Sequence, residues 1–225
     1  MITLHHLDHS RSQRVLWLLE ELGIPCELKL YQRDPETLQA PASLRAVHPL
    51  GKSPVITENG QTIAESGAIV QYLLDNHDAE GKSGLMPAPG TAERLRFNYW
   101  LHYAEGSLMA PLLVSLIFAR IQRSPMPFFV KPIVNAIVGK VKSGWLDGEL
   151  KRHFDYMEAE LGQSEWFAGA AFTAADIQMS YPLEAAESRI DLAAYPRLRA
   201  WLARIRARPA YQRAVERGGP AGAPG

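Results

Sequence analysis

Apolar positions recur along this chain with two different periods, and the change between them falls after residue 77. Ile2-Thr3-Leu4-His5 reads as a short strand. Val15, Leu18, Leu19 and Leu22 recur at helical spacing, and Gly23 followed by Pro25 stops that helix. Glu27-Leu28-Lys29-Leu30-Tyr31 alternates with period two, the pattern of a strand with one buried face. Val55–Thr57 and Thr62–Ala64 flank Asn59-Gly60, the strongest short hairpin signal. Ile69, Val70, Leu73 and Leu74 then form the stripe of another helix. The order is strand, helix, strand, a polar helical or looped stretch, two hairpin strands, helix.

From Asp78 to Gly90 the chain is rich in breakers, and from Thr91 to about residue 217 the pattern is helical with no convincing strand. Pro111, inside the first long helix, is expected to kink or end it. Ser124-Pro125-Met126-Pro127 marks a bend into a helix from about Lys131 to Leu161. Thr173-Ala174-Ala175-Asp176 reads as a capping box, and Pro196 and Pro209 each stand where a further helix can start. A βαβ unit followed by ββα on one small sheet predicts a thioredoxin-like α/β domain over residues 1–80. A linker at 81–90, an all-helical domain at 91–217 and a disordered Gly/Pro/Ala tail at 218–225 complete the expected division.

Charge narrows the function class. Lys and Arg number 24, as do Asp and Glu, so no net field recruits nucleic acid or an anionic membrane. The apolar run from Pro111 to Ala119 is far short of the ~20 residues a membrane span needs. The single cysteine, Cys26, excludes a disulfide framework and a Cys-X-X-Cys redox pair, and reads as a small buried hydrophobe. With no signal peptide ahead of the first strand, the expected setting is cytoplasmic. His5, His6 and His9 lack partners at ligand spacing, and successive strand residues face opposite ways, so no metal site is expected. The five tryptophans are expected to pack the core.

Candidate chemistry gathers in two places. Pro54 has no N–H to give a ladder, so it must start the strand Val55-Ile56-Thr57 or lie at an edge. A cis bond at Ser53–Pro54 would turn the chain and leave the Val55 backbone free to meet an extended peptide. Glu65-Ser66 opens the helix that follows, and helix N-termini bind carboxylates. Together these suggest a small peptide ligand with a free carboxylate. Ser10 directly precedes the first helix, where its hydroxyl can donate to a thiolate and lower the thiol pKa from ~8.5 toward neutrality. The alternative is that Ser10, Asp8 or Ser12 is simply an N-cap.

The segments Leu7-Asp8-His9-Ser10-Arg11-Ser12-Gln13-Arg14, His48-Pro49-Leu50-Gly51-Lys52-Ser53-Pro54-Val55 and Glu65-Ser66 jointly resemble the glutathione S-transferase family. Tyr103-Ala104-Glu105-Gly106-Ser107 and Met179-Ser180-Tyr181-Pro182-Leu183 are similar to its helical domain, in the fungal and bacterial branch. The resemblance covers residue 2 to about 215. It implies a serine-type transferase in which Ser10 activates the glutathione sulfur and Val55, after Pro54, pairs with the cysteinyl backbone. Glu65 would take the γ-glutamyl ammonium and Ser66 its carboxylate, while Lys52 or His48 would reach the glycine carboxylate. A hydrophobic electrophile would lie near Tyr103, Ser107 and Leu108. Glutathione would be a co-substrate, with no metal or other cofactor, and the protein a homodimer. The width of the apolar surface on the 91–120 helix, with Phe97, Trp100, Leu101, Tyr103, Leu108 and Leu112, adds support for the dimer. The same site could serve peroxide or disulfide reduction, or a non-catalytic binding and stress-regulatory role.

Overall fold

The computed structural model describes residues 1–219. Its N-terminal part is β1 (Ile2–Leu7), α1 (Ser12–Leu22), β2 (Cys26–Tyr31), α2 (Ala42–Val47), β3 (Val55–Glu58), β4 (Gln61–Ala64) and α3 (Ser66–His77). The sheet order is β2-β1-β3-β4, with β1 and β2 parallel and the other pairs antiparallel. This is the expected thioredoxin-like arrangement. Asn59 and Gly60 both adopt positive φ, as a tight hairpin between β3 and β4 requires. Gly23 takes φ 65° at the end of α1, and its N–H closes on the Leu19 carbonyl.

The helical part comprises α4 (Ala92–Tyr103), α5 (Met109–Arg123), α6 (Lys131–Val141), α7 (Asp147–Glu160), α8 (Ala174–Ala186), α9 (Pro196–Arg206) and α10 (Pro209–Gly218). Pro111 does not end its helix. A π-helical turn over Ala104–Leu108 lies just before it, with the Met109 N–H reaching back to the Ala104 carbonyl. That wider turn re-registers the backbone where proline cannot donate. A second π-turn, Lys142–Leu146, joins α6 to α7. Ala92–Arg123 is therefore one helical run of 32 residues, with a mean hydropathy of 1.5 over its most apolar 18 residues. By length and composition this run is long and apolar enough to cross a membrane, which the short Pro111–Ala119 stretch did not suggest.

One apolar core joins the two parts. Val15, Leu16, Leu18 and Leu19 are all fully buried, because α1 has the sheet on one side and α8 and α10 on the other. Trp17, Trp100 and Trp201 are buried in the same core, where truncation to alanine typically costs ~3–5 kcal/mol. Trp145 departs from expectation, at 49% exposed. Phe97, Trp100, Leu101, Tyr103, Leu108 and Leu112 are all buried within the chain's own bundle, so the wide stripe needs no second subunit to cover it. Gly218, expected to open the tail, instead closes α10, and residues 220–225 of the expected tail lie outside the described residues.

Candidate functional site

The loop after β1 carries Ser10, which is buried. Its oxygen accepts the Ser12 N–H at 3.2 Å and lies 2.7 Å from the Ser12 hydroxyl, which in turn lies 3.0 Å from His6 Nδ1. Counting protons orients this chain. His6 Nε2 meets the Gly218 carbonyl at 2.9 Å, and a carbonyl only accepts, so Nε2 carries the hydrogen. Burial pushes the His6 pKa below its ordinary value, outweighing the Gly218 bond and Asp8, so at neutral pH Nδ1 is an acceptor. Ser12 therefore gives its proton to His6, a nearer acceptor than the Leu7 carbonyl at 3.4 Å, and Ser10 gives its own to Ser12. The Ser10 oxygen is fixed by the Ser12 N–H, and one hydroxyl rotation turns its proton from Ser12 toward a ligand.

The Ser53–Pro54 bond is cis. Val55, however, is not available to a peptide. It sits inside the sheet, opposite His5 on β1 and Ala64 on β4, with its side chain fully buried. Both flanks of its backbone are covered, which corrects the expected pairing. The residue outside the ladder is Ser53. Its hydroxyl donates to the His5 carbonyl at 2.9 Å and accepts the Leu7 N–H at 3.3 Å, replacing the strand contacts that end at Pro54.

Glu65 has φ 73°, a conformation rare for a residue with a side chain and found where a site over-determines the backbone. Its carboxylate is exposed and, among the described residues, makes no ion pair. Ser66 follows at the first position of α3 and is buried. Its oxygen accepts from Gln178 Nε2 at 3.0 Å and from Arg14 Nη1 at 3.4 Å. Both bonds use Ser66 as an acceptor, so its own proton remains free to donate. Arg14 is 1% exposed and bonds Glu105 at 2.6 Å, while Arg11 Nε bonds the same oxygen at 2.8 Å. Burial lowers the Arg14 pKa to about 10, against the pull of Glu105, so it stays cationic at neutral pH. Burial alone would raise the Glu105 carboxyl, but Arg14 and Arg11 hold it below the usual range. Arg14 Nε and Nη2 and Gln178 Oε1 are buried without partners.

Lys52 lines a cleft of about 330 Å³ with Arg33 and Arg45, neither of which its sequence context singled out. Gly51 makes this cleft possible: its φ is 56°, and a Cβ there would come within 2.6 Å of the Arg45 side chain. His48 does not line it, and its Nδ1 is buried without a partner. Of the three expected electrophile residues, Leu108 is in the core. Tyr103 and Ser107 line one outer groove with Leu95, Tyr99 and His102, and the Tyr103 hydroxyl bonds His153 on α7. Glu105, Arg14 and Gln178, which gather around Ser66, were not singled out as site residues by the sequence, because their pairings and unpartnered buried atoms appear only in the folded chain.

The sequence and the fold match known proteins. Profiles of the glutathione S-transferase N-terminal and C-terminal domains match residues 4–81 and 119–204. The chain belongs to the glutathione S-transferase family. Glutathione S-transferase 3 of Schizosaccharomyces pombe is 36% identical over 96% of this chain and 88% of its own. Glutathione S-transferase 1 of Saccharomyces cerevisiae is 34% identical, over 96% and 95%. A glutathione S-transferase crystal structure from Actinobacillus pleuropneumoniae covers 98% of this chain and 94% of that one, with TM-score 0.79 and 35% identity. A sphingomonad glutathione S-transferase complexed with glutathione superposes with TM-score 0.69 at 27% identity, over 97% of this chain and 100% of its own. In this transferase the remaining groups fit no metal: among the described residues no cluster of His, Cys, Asp or Glu could hold one. Burial also pushes the Cys26 thiol up, against Arg217, which leaves it a poor nucleophile.

Proposed function

We propose that this transferase binds glutathione along the β1–α1 loop, the Ser53–Pro54 bend and the start of α3, and transfers its thiolate to a hydrophobic electrophile. The observation that carries the reading is Ser66: a buried hydroxyl at a helix N-terminus, gripped as an acceptor by Arg14 and Gln178, with one unspent proton. A γ-glutamyl carboxylate there would take that proton and the favourable end of α3. The exposed Glu65 carboxylate suits the adjacent ammonium. Lys52, with Arg33 and Arg45 around it, suits the glycine carboxylate at the other end. Ser53 supplies backbone for the cysteinyl residue between them, and Ser10, on rotating its hydroxyl, donates to the thiolate. Ser10 is then the catalytic group, acting with no metal or nucleotide.

A bound thiolate attacks sulfur and oxygen as well as carbon, so disulfide and peroxide reduction share this machinery. The reading extends to two domains joined by a linker at residues 81–90, a cytoplasmic setting and a homodimer, all consistent with the family. One comparison tests the site. Ser10→Ala should lower turnover of a chlorinated aromatic by about 10- to 150-fold, the worth of one charge-assisted bond, with glutathione affinity kept within a few fold. Ser66→Ala should do the reverse, raising the glutathione KM while sparing kcat, because the far end of the ligand changes little as sulfur reacts. Unchanged glutathione affinity in Ser66→Ala, measured by calorimetry, would sink the assignment.

A further inference from the structure

The helices that carry Tyr181 and lead on from Glu105 also bring together, at their far ends, the residues of a second cleft. On α8, Tyr181 lies under both guanidinium groups, 5.0 Å from Arg11 and 5.1 Å from Arg14. One turn further along the same face comes Ala185, and the turn that follows the end of α8 carries Ser188 and Arg189. On the facing helix, Glu105 leads through Met109 and Leu112 to Leu116, Ala119, Arg120 and Arg123, again at the spacing of one face. These two faces enclose a cleft of about 400 Å³, within the range of small-molecule sites. Leu116 and Ala119 give it an apolar wall, and Arg120, Arg123 and Arg189 stand around it.

The charge there is unbalanced. Among the described residues none of the three arginines has an acidic partner: the neighbouring Glu187 is taken by Arg206, and Arg189 Nη1 donates only to the Ala185 carbonyl. Burial, Arg120 and Arg123 all disfavour the charged form of Arg189, with Tyr181 opposing, so the guanidinium groups feel one another. Three mutually repelling arginines gathered at one cleft, on a chain whose total charge is zero, are a cost that an anion would relieve. We infer that this cleft takes the tail of an amphipathic electrophile of this transferase, with its apolar body against Leu116 and Ala119 and a terminal carboxylate held by Arg120, Arg123 and Arg189. This deepens the proposed transfer reaction and rests on it for the reacting end alone. Planar guanidinium groups suit a carboxylate because they can bind it bidentately.

Two measurements test it separately from the transferase reading. The first compares conjugation of a medium-chain enone ending in a carboxylate with that of its neutral N-methyl amide, whose reacting carbon is the same. The wild type should show a KM about 5- to 30-fold lower for the acid, the combined worth of three partly exposed charge contacts. The triple variant Arg120→Gln/Arg123→Gln/Arg189→Gln should bring the two KM values together, and its unchanged glutathione affinity would show that it is folded. The second is calorimetric binding of decanoate against N-methyl decanamide, which needs no turnover. Decanoate should bind the wild type more tightly and lose that advantage in the triple variant. Failure of both enones to react, with decanoate still preferred, would remove the transfer chemistry and leave the carboxylate site standing. Equal binding of decanoate and its amide to the wild type, or a preference surviving in the triple variant, would overturn the inference.

Discussion

Asp176 offers the sharpest test of how the helical part is built. It is fully buried at the first turn of α8, and its carboxylate takes four hydrogen bonds. One oxygen accepts the Phe167 N–H and Trp201 Nε1–H, each at 3.0 Å. The other accepts the Thr173 N–H at 3.0 Å and the Thr173 hydroxyl at 3.2 Å. Replacing Asp176 by alanine strands three donors that cannot turn away, two amides and an indole, while the Thr173 hydroxyl can rotate. At ~1–3 kcal/mol for each buried unsatisfied donor, the loss is about 3–9 kcal/mol. That is comparable with the whole ~5–15 kcal/mol stability of a typical domain, so Asp176→Ala should barely fold. Asp176→Asn is the informative variant. Its carbonyl oxygen can keep Phe167 and Trp201, but its amide then faces the Thr173 donors. The Thr173 hydroxyl can turn to accept from that amide, so one donor, the Thr173 N–H, is stranded, at about 1–3 kcal/mol, reduced somewhat because burial already disfavours the Asp176 charge. Urea unfolding followed by tryptophan fluorescence measures this, provided the m-value matches wild type. An Asn variant within ~0.5 kcal/mol of wild type would refute the four-bond account, since surface substitutions reach that level without touching any network.

Three further outcomes are expected. Glu105→Gln should destabilise the protein by ~1–3 kcal/mol and raise the glutathione KM, because the buried Arg14 loses its counter-charge and Ser66 loses its support; unchanged values of both would mean that Arg14 is balanced elsewhere. Burial holds His6 below its ordinary pKa of 6.5, so the folded state resists protonation there, and stability that His6 contributes at pH 7.5 is lost as pH falls below 6.5. The stability advantage of wild type over His6→Asn should therefore be smaller at pH 5.5 than at 7.5, and an equal advantage at both would contradict the neutral-His6 relay. Light scattering at micromolar concentration should give a mass near 50 kDa, twice the 25.0 kDa chain; an active monomer would remove the dimer from the reading.

What the sequence by itself determined are the features that a few neighbouring residues decide. Asn59-Gly60 turns because those two residues tolerate positive φ, and Gly23 ends α1 for the same reason. Asp176 caps α8 from three residues away, and Pro196 and Pro209 stand at the first positions of their helices because proline there forgoes only a bond that no helix makes. Period two and period 3.6 separated the sheet from the bundle, since each records which side of a local element meets the core. Glu65 and Ser66 were legible as a helix opening for the same local reason. Tertiary structure decided which of these residues a ligand can reach. Val55 looked available until β1 and β4 closed on both its flanks, leaving Ser53 outside the ladder. The proton of Ser10 depends on His6 and through it on Gly218, 212 residues further along the chain than His6. Arg14 acquires its role from Glu105 and Gln178, and Lys52 gains Arg33 and Arg45 only once α2 folds back against Gly51. Leu108 turned inward because the bundle's own helices cover it. Such pairings join residues far apart in sequence, so their energy depends on how whole helices pack, and no short stretch of chain records it.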